Sequence, residues 1–209
     1  MKLTLILIFL CLIGFVFPIF FVTDLDAFRN EFGFSGKNLL TKPWVLITSI
    51  FLHADIVHLL SNVFILLFFG MAVEAELGKK MLLIFFLGAV AGDLLSLLVY
   101  PFDIISIGAS AGIFALIGVG ILVRPFDFSF YPFIMPIPLA FLGILYAVYN
   151  IYGFIVEPAS QISYIAHFGG LFVGMYYGFQ IIGIKKGIKI ILFVLSIMIL
   201  IPVIWMLVS

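Results

Sequence analysis

GASAGIFALIGVGILV, residues 108–123, is a run of small and apolar residues in which Ser110 carries the one hydrogen-bonding side chain. From Ala109 to Val123 the run is shorter than the roughly 20 residues that a helix needs to cross a full hydrocarbon core. Such a helix must begin below the membrane surface, and its free backbone N–H groups must then lie in protein or in a water-filled cavity. The stretch therefore predicts a helix that starts inside a membrane protein, with Ser110 at its N-terminus.

The composition of the whole chain agrees with a membrane protein. Of its 209 residues, 66% are hydrophobic and 10% are charged, and the mean hydropathy is +1.40, whereas soluble domains are about 45–50% apolar. The formal net charge of zero does not point to nucleic acid, and the single cysteine, Cys11, cannot form an intrachain disulfide. We therefore expect residues 1–209 to form one membrane domain.

Apolar runs bounded by charges, proline or glycine predict seven spans and an all-α polytopic membrane protein. The predicted spans are Leu3–Val22, Ile56–Leu77, Met81–Tyr100, Ala109–Val123, Ile134–Val156, Ile162–Ile182 and Ile188–Val208. No small-x-small cleavage site follows the first run, so we expect a retained helix rather than a signal peptide.

Two polar stretches separate the spans. Residues 23–55 mix charges with large apolar residues such as Phe28 and Trp44, which favours a structured segment with short helices at the membrane interface. Residues 124–135 contain Pro125 and Pro132 and are predicted to be a loop.

Positive charge predicts the orientation of the spans. With the N-terminus inside, seven of the ten basic residues are inside, and the long segment 23–55 is outside. The inside residues are Lys2, Lys79, Lys80, Arg124, Lys185, Lys186 and Lys189. We therefore expect an integral multi-pass protein, in a prokaryotic cell membrane, with a cytoplasmic N-terminus and the Ser110 helix start near the outer side.

Ser110 is a candidate nucleophile. A serine hydroxyl reacts only when a base removes its proton, and a helix N-terminus stabilises a developing oxyanion. Gly108 before it permits a close approach and unusual backbone angles. The alternative is a simple helix cap, since serine is favoured at that position.

His167 is the candidate base. It lies three residues before Gly170, and Gly170, Gly174 and Gly178 form a small-residue stripe that lets two helices come very close. If the neighbouring helix is the one that begins at Ser110, imidazole and hydroxyl can meet. The alternative is a packing stripe beside a histidine that bonds to a carbonyl.

His58 and Asn62 are four residues apart and share one face of the second span. Two donors on one face suit the stabilisation of an oxyanion, although interhelical polar bonding is the plainer interpretation. His53 favours a structural role at the loop beside them. Phe114, one turn after Ser110, is either a ring that stacks on an imidazole or a core aromatic. With no metal-binding spacing among three histidines, we expect neither metal nor cofactor.

Three motifs together resemble the rhomboid family of intramembrane serine proteases. They are HADIVHLLSN at 53–62, GASAGIFALIG at 108–118 and AHFGGLFVG at 166–174, and FGMAVEAELG at 69–78 adds to them. The resemblance covers about residues 40–180. It implies a six-helix rhomboid-like bundle over about 1–183, with one extra C-terminal transmembrane helix at about 188–208 and the long outer loop at 23–55.

The resemblance also implies roles for the site residues. Ser110 would be the nucleophile and His167 the general base of a dyad without an acidic third member. His58 and Asn62, with the Ser110 amide, would hold the oxyanion. Phe114 falls where relatives often have a tyrosine that packs on the base. Members of this family cut single-pass transmembrane proteins near the outer membrane face.

This sequence departs from the family pattern in two motifs. Many members read GxSG, whereas Ala111 follows the serine here, and many carry Trp-Arg in the first loop where this chain has Trp44-Val45. The second departure would remove contacts that an arginine makes to the loop backbone.

Two other functions remain open. One is an inactive relative that binds membrane proteins, although such relatives typically lose the serine or the histidine. The other is a channel or small transporter, which predicts charged spans or internal repeats, and Asp93 is the one charged residue that lies away from the ends of a predicted span. The expected partners are transmembrane substrates and lipid, with no nucleic acid, and the sequence does not predict an oligomeric state.

A lateral gate beside the fifth span is also predicted. A transmembrane substrate has its backbone bonds satisfied and should enter sideways from lipid. Pro136 and Pro138 should loosen the start of the fifth span, and Gly143 and Gly153 should reduce its packing. We expect Phe141 or Tyr149 to hinder entry between the second and fifth spans.

Overall fold

The computed structural model describes residues 1–128, 137–157 and 162–208. Within these ranges the secondary structure is helical apart from one bridge between Phe34 and Ser106. The helices are α1 (Lys2–Phe21), α2 (Leu25–Phe32), α3 (Gly36–Thr41), α4 (Val45–Phe51), α5 (Ile56–Ile65), α6 (Met71–Leu77), α7 (Lys80–Ser96), α8 (Ser110–Val123), α9 (Leu139–Val156), α10 (Tyr164–Ile182) and α11 (Ile184–Val208). A π-helical segment, Leu66–Gly70, joins α5 to α6. The predicted all-α membrane fold is confirmed.

In the part of the chain that the structure describes, five helices are long and apolar enough to cross a membrane. They are Lys2–Phe21, Ile56–Leu77, Leu139–Val156, Tyr164–Ile182 and Ile184–Leu207. The other two predicted spans are shorter: α7 has 17 residues and α8 has 14. The predicted extension of α7 to Tyr100 is wrong, because the chain turns after Ser96 and reaches Pro101, whose missing N–H cannot continue a helix.

The ends of the last three helices also differ from the predicted spans. The structure begins α9 at Leu139, after Pro138, while residues 134–136 of the predicted span, including Pro136, lie outside the described residues. Gly183, with φ of 85°, ends α10, and α11 begins directly at Ile184. The last helix therefore begins four residues before the predicted start at Ile188.

Helices α7, α8 and α10 pack together through glycines. A Cβ at Gly169 would lie 2.6 Å from the Cα of Gly92 on α7, and a Cβ at Gly112 on α8 would lie 2.7 Å from the ring of Phe85. Both distances are shorter than side-chain contacts allow, so any larger residue would force the helices apart. This packing buries α8 almost completely.

The segment at residues 23–55 contains the predicted short helices, α2, α3 and α4. It is held by polar bonds as well as apolar packing. The Thr48 hydroxyl donates to the carbonyl of Phe32 at 2.7 Å, and Lys42 pairs with Glu31. Arg29 donates to the carbonyl of Ala54 at 2.8 Å. The segment thus has its own anchors, and Val45, at the position where the resemblance leads us to expect an arginine, is buried in α4.

Helix α1 is fixed to α6 by a buried carboxylate. Glu74 accepts hydrogen bonds from the Thr4 hydroxyl at 2.7 Å and from the Thr4 and Leu3 amides at 2.8 and 3.0 Å. Amides in the first turn of a helix have no partner within the helix. The carboxylate therefore caps α1 and fixes its position beside the second span.

Candidate active site

Ser110 and His167 meet inside the bundle. The Oγ of Ser110 lies 2.8 Å from the Nε2 of His167, although 57 residues separate the two in sequence. Ser110 is the first residue of α8, and Ala109 before it makes no side-chain cap. The hydroxyl therefore contacts the imidazole instead of serving as the helix cap that the plainer interpretation proposed.

The glycine stripe on α10 explains this meeting. A Cβ at Gly170 would overlap the carbonyl oxygen of Ala111, and one at Gly174 would overlap that of Ala115. The helix that α10 contacts is thus the Ser110 helix, and the contact is between backbones. His167, one turn before Gly170, is carried onto the start of α8. The packing stripe and the site are parts of the same arrangement.

Aromatic rings fix the plane of the His167 imidazole. Phe114 stacks on it with ring centroids 4.3 Å apart and planes 11° from parallel. Tyr164 meets it edge-on at 6.3 Å, and Tyr146 packs on Phe114 at 5.6 Å. His167 is only 9% exposed. The ring therefore has little freedom to turn away from Ser110.

Asn150 is a site residue that the sequence interpretation missed. It lies on α9, is 2% exposed, and places its Oδ1 2.7 Å from the Nδ1 of His167. Its Nδ2 donates to the carbonyl of Tyr164 at 3.2 Å. A lone asparagine within a predicted span was the available signal, since a polar side chain in an apolar run needs a partner.

His58 and Asn62 lie against the loop that leads to Ser110. Gly108 in that loop has φ of 126°, and a Cβ there would lie 2.8 Å from the Nε2 of His58 and 3.7 Å from the Nδ2 of Asn62. Its amide donates to the carbonyl of Ser49 at 2.9 Å. Only glycine allows both this backbone conformation and the approach of both side chains.

The donors on these two side chains are directed at the site. The Nδ2 of Asn62 is buried and has no hydrogen-bond partner among the described residues. The Nδ1 of His58 accepts from the amide of Ala54 at 3.4 Å, which leaves Nε2 as its donor. A buried donor without a partner is costly, so this amide is available to a group that enters the cavity that Asn62 lines.

His53 braces the loop beside this pair. Its Nδ1 lies 3.2 Å from the carbonyl oxygen of Phe51, and its ring meets that of His58 edge-on at 5.0 Å. Burial lowers the pKa of His53 to about 4, and the neighbouring His58 adds to this effect. These contacts favour the predicted structural role.

A cavity of about 1250 Å³ lies beside the Ser110–His167 pair and the His58–Asn62 pair. Its lining includes Ser110, His167, Asn62 and Asp93, and it reaches Val57 on α5 and Tyr149 on α9. Asp93, on α7, is 7% exposed. In the described part of the chain, no cluster of three or more histidine, cysteine or acidic residues is placed to hold a metal ion.

The fold is a bundle of apolar helices long enough to span a membrane, and in it a serine and a histidine meet beside a cavity. The chain belongs to the rhomboid family, whose Rhomboid domain matches residues 40–184. That match includes all three of the motifs quoted above.

Relatives come from several kinds of organism. Rhomboid-like protease 3 of Toxoplasma gondii is 42% identical over 36% of this chain and 28% of its own length. Putative rhomboid protease YdcA of Bacillus subtilis is 40% identical over 36% of this chain and 39% of its own. RHOMBOID-like protein 12, mitochondrial, of Arabidopsis thaliana is 30% identical over 74% of this chain and 52% of its own.

This chain therefore spans between 28% and 52% of the length of these relatives. Membership of the family, together with the apolar helices, makes it an integral multi-pass membrane protein. The family and the names of the relatives support a protease. The prediction of a prokaryotic membrane stays a prediction, because the relatives include bacterial and mitochondrial proteins.

Proposed function

We propose that this chain is an intramembrane serine endopeptidase that cleaves single-pass transmembrane proteins near the outer membrane face. The observation that carries the proposal is the 2.8 Å contact between the Ser110 Oγ and the His167 Nε2 at the start of a buried helix. That distance is within reach of direct proton transfer from nucleophile to base.

The acylation step follows from this contact. The Oγ of Ser110 attacks the carbonyl carbon of the scissile peptide, and its proton passes to the Nε2 of His167. The carbonyl electron pair becomes an oxyanion. When the tetrahedral intermediate collapses, the C–N bond breaks and the imidazolium returns its proton to the leaving amine. A water molecule, deprotonated by the same nitrogen, then hydrolyses the ester and frees Ser110.

The oxyanion needs donors that are already in place. Asn62 Nδ2 and His58 Nε2 face the loop before Ser110, and the Ser110 amide is one of the free N–H groups at the N-terminus of α8. Donors arranged before the reaction stabilise the developing charge without reorganisation. This arrangement favours peptide cleavage over a channel or transporter.

The orientation in the membrane belongs to the same proposal. Placing most lysine and arginine residues inside puts residues 23–55 and the cavity beside them on the outer side. Hydrolysis needs water, and a cavity that extends past Ser110 to the polar residues Asp26 and Arg29 supplies a route for it. Substrates would then be cut near the outer face.

A fluorophosphonate probe, which reacts with activated serines, tests the proposal. The purified full chain should be labelled, and labelling should disappear in Ser110→Ala and His167→Ala. Cleavage of a transmembrane substrate should fall by on the order of 10⁶ in each variant and little further in the double variant, because the two residues act as a unit.

Two results would contradict this function. If the losses in the two single variants simply multiply in the double variant, the residues do not act together. A folded wild-type chain that neither reacts with the probe nor cuts any substrate, but binds membrane proteins, would instead be an inactive relative. Ser61→Ala, on the cavity wall but bonded to its own helix at Val57, is the control and should remain active.

A further inference from the structure

We infer that Asn150 is a positioning residue that holds His167 in the one tautomer able to accept the proton of Ser110, so that the site is a Ser110–His167–Asn150 triad. The inference rests on the proposed function, since it concerns the same reaction. It adds a third residue, from a fifth-span helix, to the dyad that the family resemblance implies.

The hydrogen-bond partners of Asn150 determine which way its amide faces. The Nδ2 can only donate, and it lies 3.2 Å from the carbonyl oxygen of Tyr164, which can only accept. Turning the amide over would place two oxygens against each other there. The Oδ1 is therefore the atom that faces His167, at 2.7 Å from Nδ1.

That orientation determines the protonation of the imidazole. Because the Oδ1 of Asn150 can only accept, the Nδ1 of His167 must carry the proton. In a neutral ring, Nε2 then has the free lone pair, and it faces the Ser110 Oγ at 2.8 Å. The hydroxyl proton of Ser110 thus points at the base before any substrate is bound.

The same bond supports the charged state of the base. When His167 takes the proton, the Nδ1–H bond to Asn150 becomes charge-assisted and stronger. Asn150 is 2% exposed, so water does not compete for this bond. Orienting the second nitrogen of a catalytic histidine is the task that an aspartate or asparagine performs in other nucleophilic sites, and here a neutral amide avoids burying a further charge.

Spectroscopy tests the tautomer directly in the wild-type chain. With ¹⁵N-labelled histidine, and with His167→Gln used to assign the signal, His167 should show a protonated Nδ1 and an unprotonated Nε2 at neutral pH. This measurement is made on the wild-type chain and does not depend on activity, and the folded His167→Gln variant serves only to assign the signal. A His167 ring protonated at Nε2 would overturn the inference.

Variants test the role. Asn150→Leu removes the acceptor while keeping a similar volume, so both tautomers should appear and probe labelling should slow by on the order of 10- to 100-fold. Asn150→Asp restores an acceptor and should restore the Nδ1–H signal with only part of the lost labelling, because its second oxygen, unlike Nδ2, cannot donate to the Tyr164 carbonyl. Ile151→Ala, next to it on α9 and half exposed, should change neither.

The outcomes separate this inference from the proposed function. If wild-type protein is not labelled, the protease proposal fails whatever the tautomer is. If wild type is labelled and Asn150→Leu is folded and labelled at the same rate, the protease proposal stands and the positioning role fails. A Leu variant that keeps a single protonated Nδ1 on His167 also overturns the inference.

Discussion

The contact between α8 and α10 differs from the contacts that α9 makes with the same two helices. On α10, a Cβ at Gly170 or Gly174 would meet a carbonyl oxygen of α8, which cannot move without the helix. On α9, a Cβ at Gly143 would meet the side chain of Ile121, and one at Gly153 would meet the ring of Tyr164. Both pairs of glycines permit close packing, but only the first brings backbone against backbone.

These two kinds of helix contact serve different parts of the proposed reaction. Ser110 and His167 lie on the two helices in backbone contact, so their spacing is fixed by elements that cannot shift independently. Tyr149 and Asn150 lie on α9, where side chains can rearrange. We therefore expect the α8–α10 contact to fix the distance between Ser110 and His167. Substrate entry and the orientation of the imidazole should depend on the side chains of α9.

Replacing one glycine by alanine in the α8–α10 contact and one in the α8–α9 contact should give the largest difference in stability. Gly170→Ala places Cβ against the carbonyl of Ala111, and we expect it to destabilise the fold by about 3 kcal/mol or more and to abolish probe labelling. Gly143→Ala should cost less, because the side chain of Ile121 can turn away. Thermal unfolding in detergent measures both. Equal losses would mean that the two regions are equally rigid.

Removing an oxyanion donor should have the next largest effect. Asn62→Ala should lower turnover by on the order of 10²–10³ while the fold survives, because its Nδ2 has no partner to lose among the described residues. His58→Ala should act similarly, and the two together should cost less than the product. Cleavage rates and unfolding temperatures are measured side by side, with Ser61→Ala as the control. Unfolding of Asn62→Ala in step with its lost activity would favour a purely structural bond.

The positions that the sequence predicted and the structure shows are those that follow from length and spacing. The short run from Ala109 to Val123 predicted a helix that begins at the site, and the structure begins it at Ser110. The spacing of His167 and Gly170 predicted one helix face, and that face packs on α8. Both inferences use local geometry, which a sequence contains directly.

Asn150 could not be predicted in the same way. No repeat or motif relates it to His167, and their contact arises because α9 packs beside the start of α10. The end of α7 at Ser96 was missed because the apolar run continues past it to Tyr100, and hydropathy does not show where backbone bonds stop. Contacts between helices and local turns thus account for what the sequence left open.

The structure refines the predicted lateral gate between α5 and α9, and it distinguishes the two α9 residues that were predicted to hinder entry. Tyr149 is 58% exposed and lines the same cavity as Val57 of α5, whereas Phe141 packs against the apolar core. We therefore expect Tyr149→Ala to raise cleavage of a transmembrane substrate several-fold, and Phe141→Ala to lose stability instead. Labelling of Ser110 by a small probe should stay unchanged in Tyr149→Ala, because the probe does not need a lateral opening.

A cross-link provides the opposite test of the gate. Cysteines introduced on α5 and α9, in a Cys11→Ser background, should block transmembrane-substrate cleavage when joined, and reduction should restore it. Labelling by the small probe should continue in the cross-linked protein. Unimpaired cleavage with the two helices joined would rule out entry between them.

The smallest expected effect concerns His53, which braces the loop before α5 through Phe51 and His58. Its pKa in the fold is about 4, because of burial, against about 6.5 in an unfolded chain. Between these values the unfolded state binds the extra proton, so stability should be full above about pH 6.5 and fall as the pH drops toward 4. Near pH 4 the loss of this stability is complete.

The variant His53→Gln tests this pH dependence. Its side chain cannot titrate, so its unfolding temperature should fall less over this range than that of the wild type. Asp55 and the ring of His58, which both act on the pKa of His53, remain in both proteins, so their own titration contributes to both curves. Parallel curves for the two proteins would show that His53 is not held neutral by its burial.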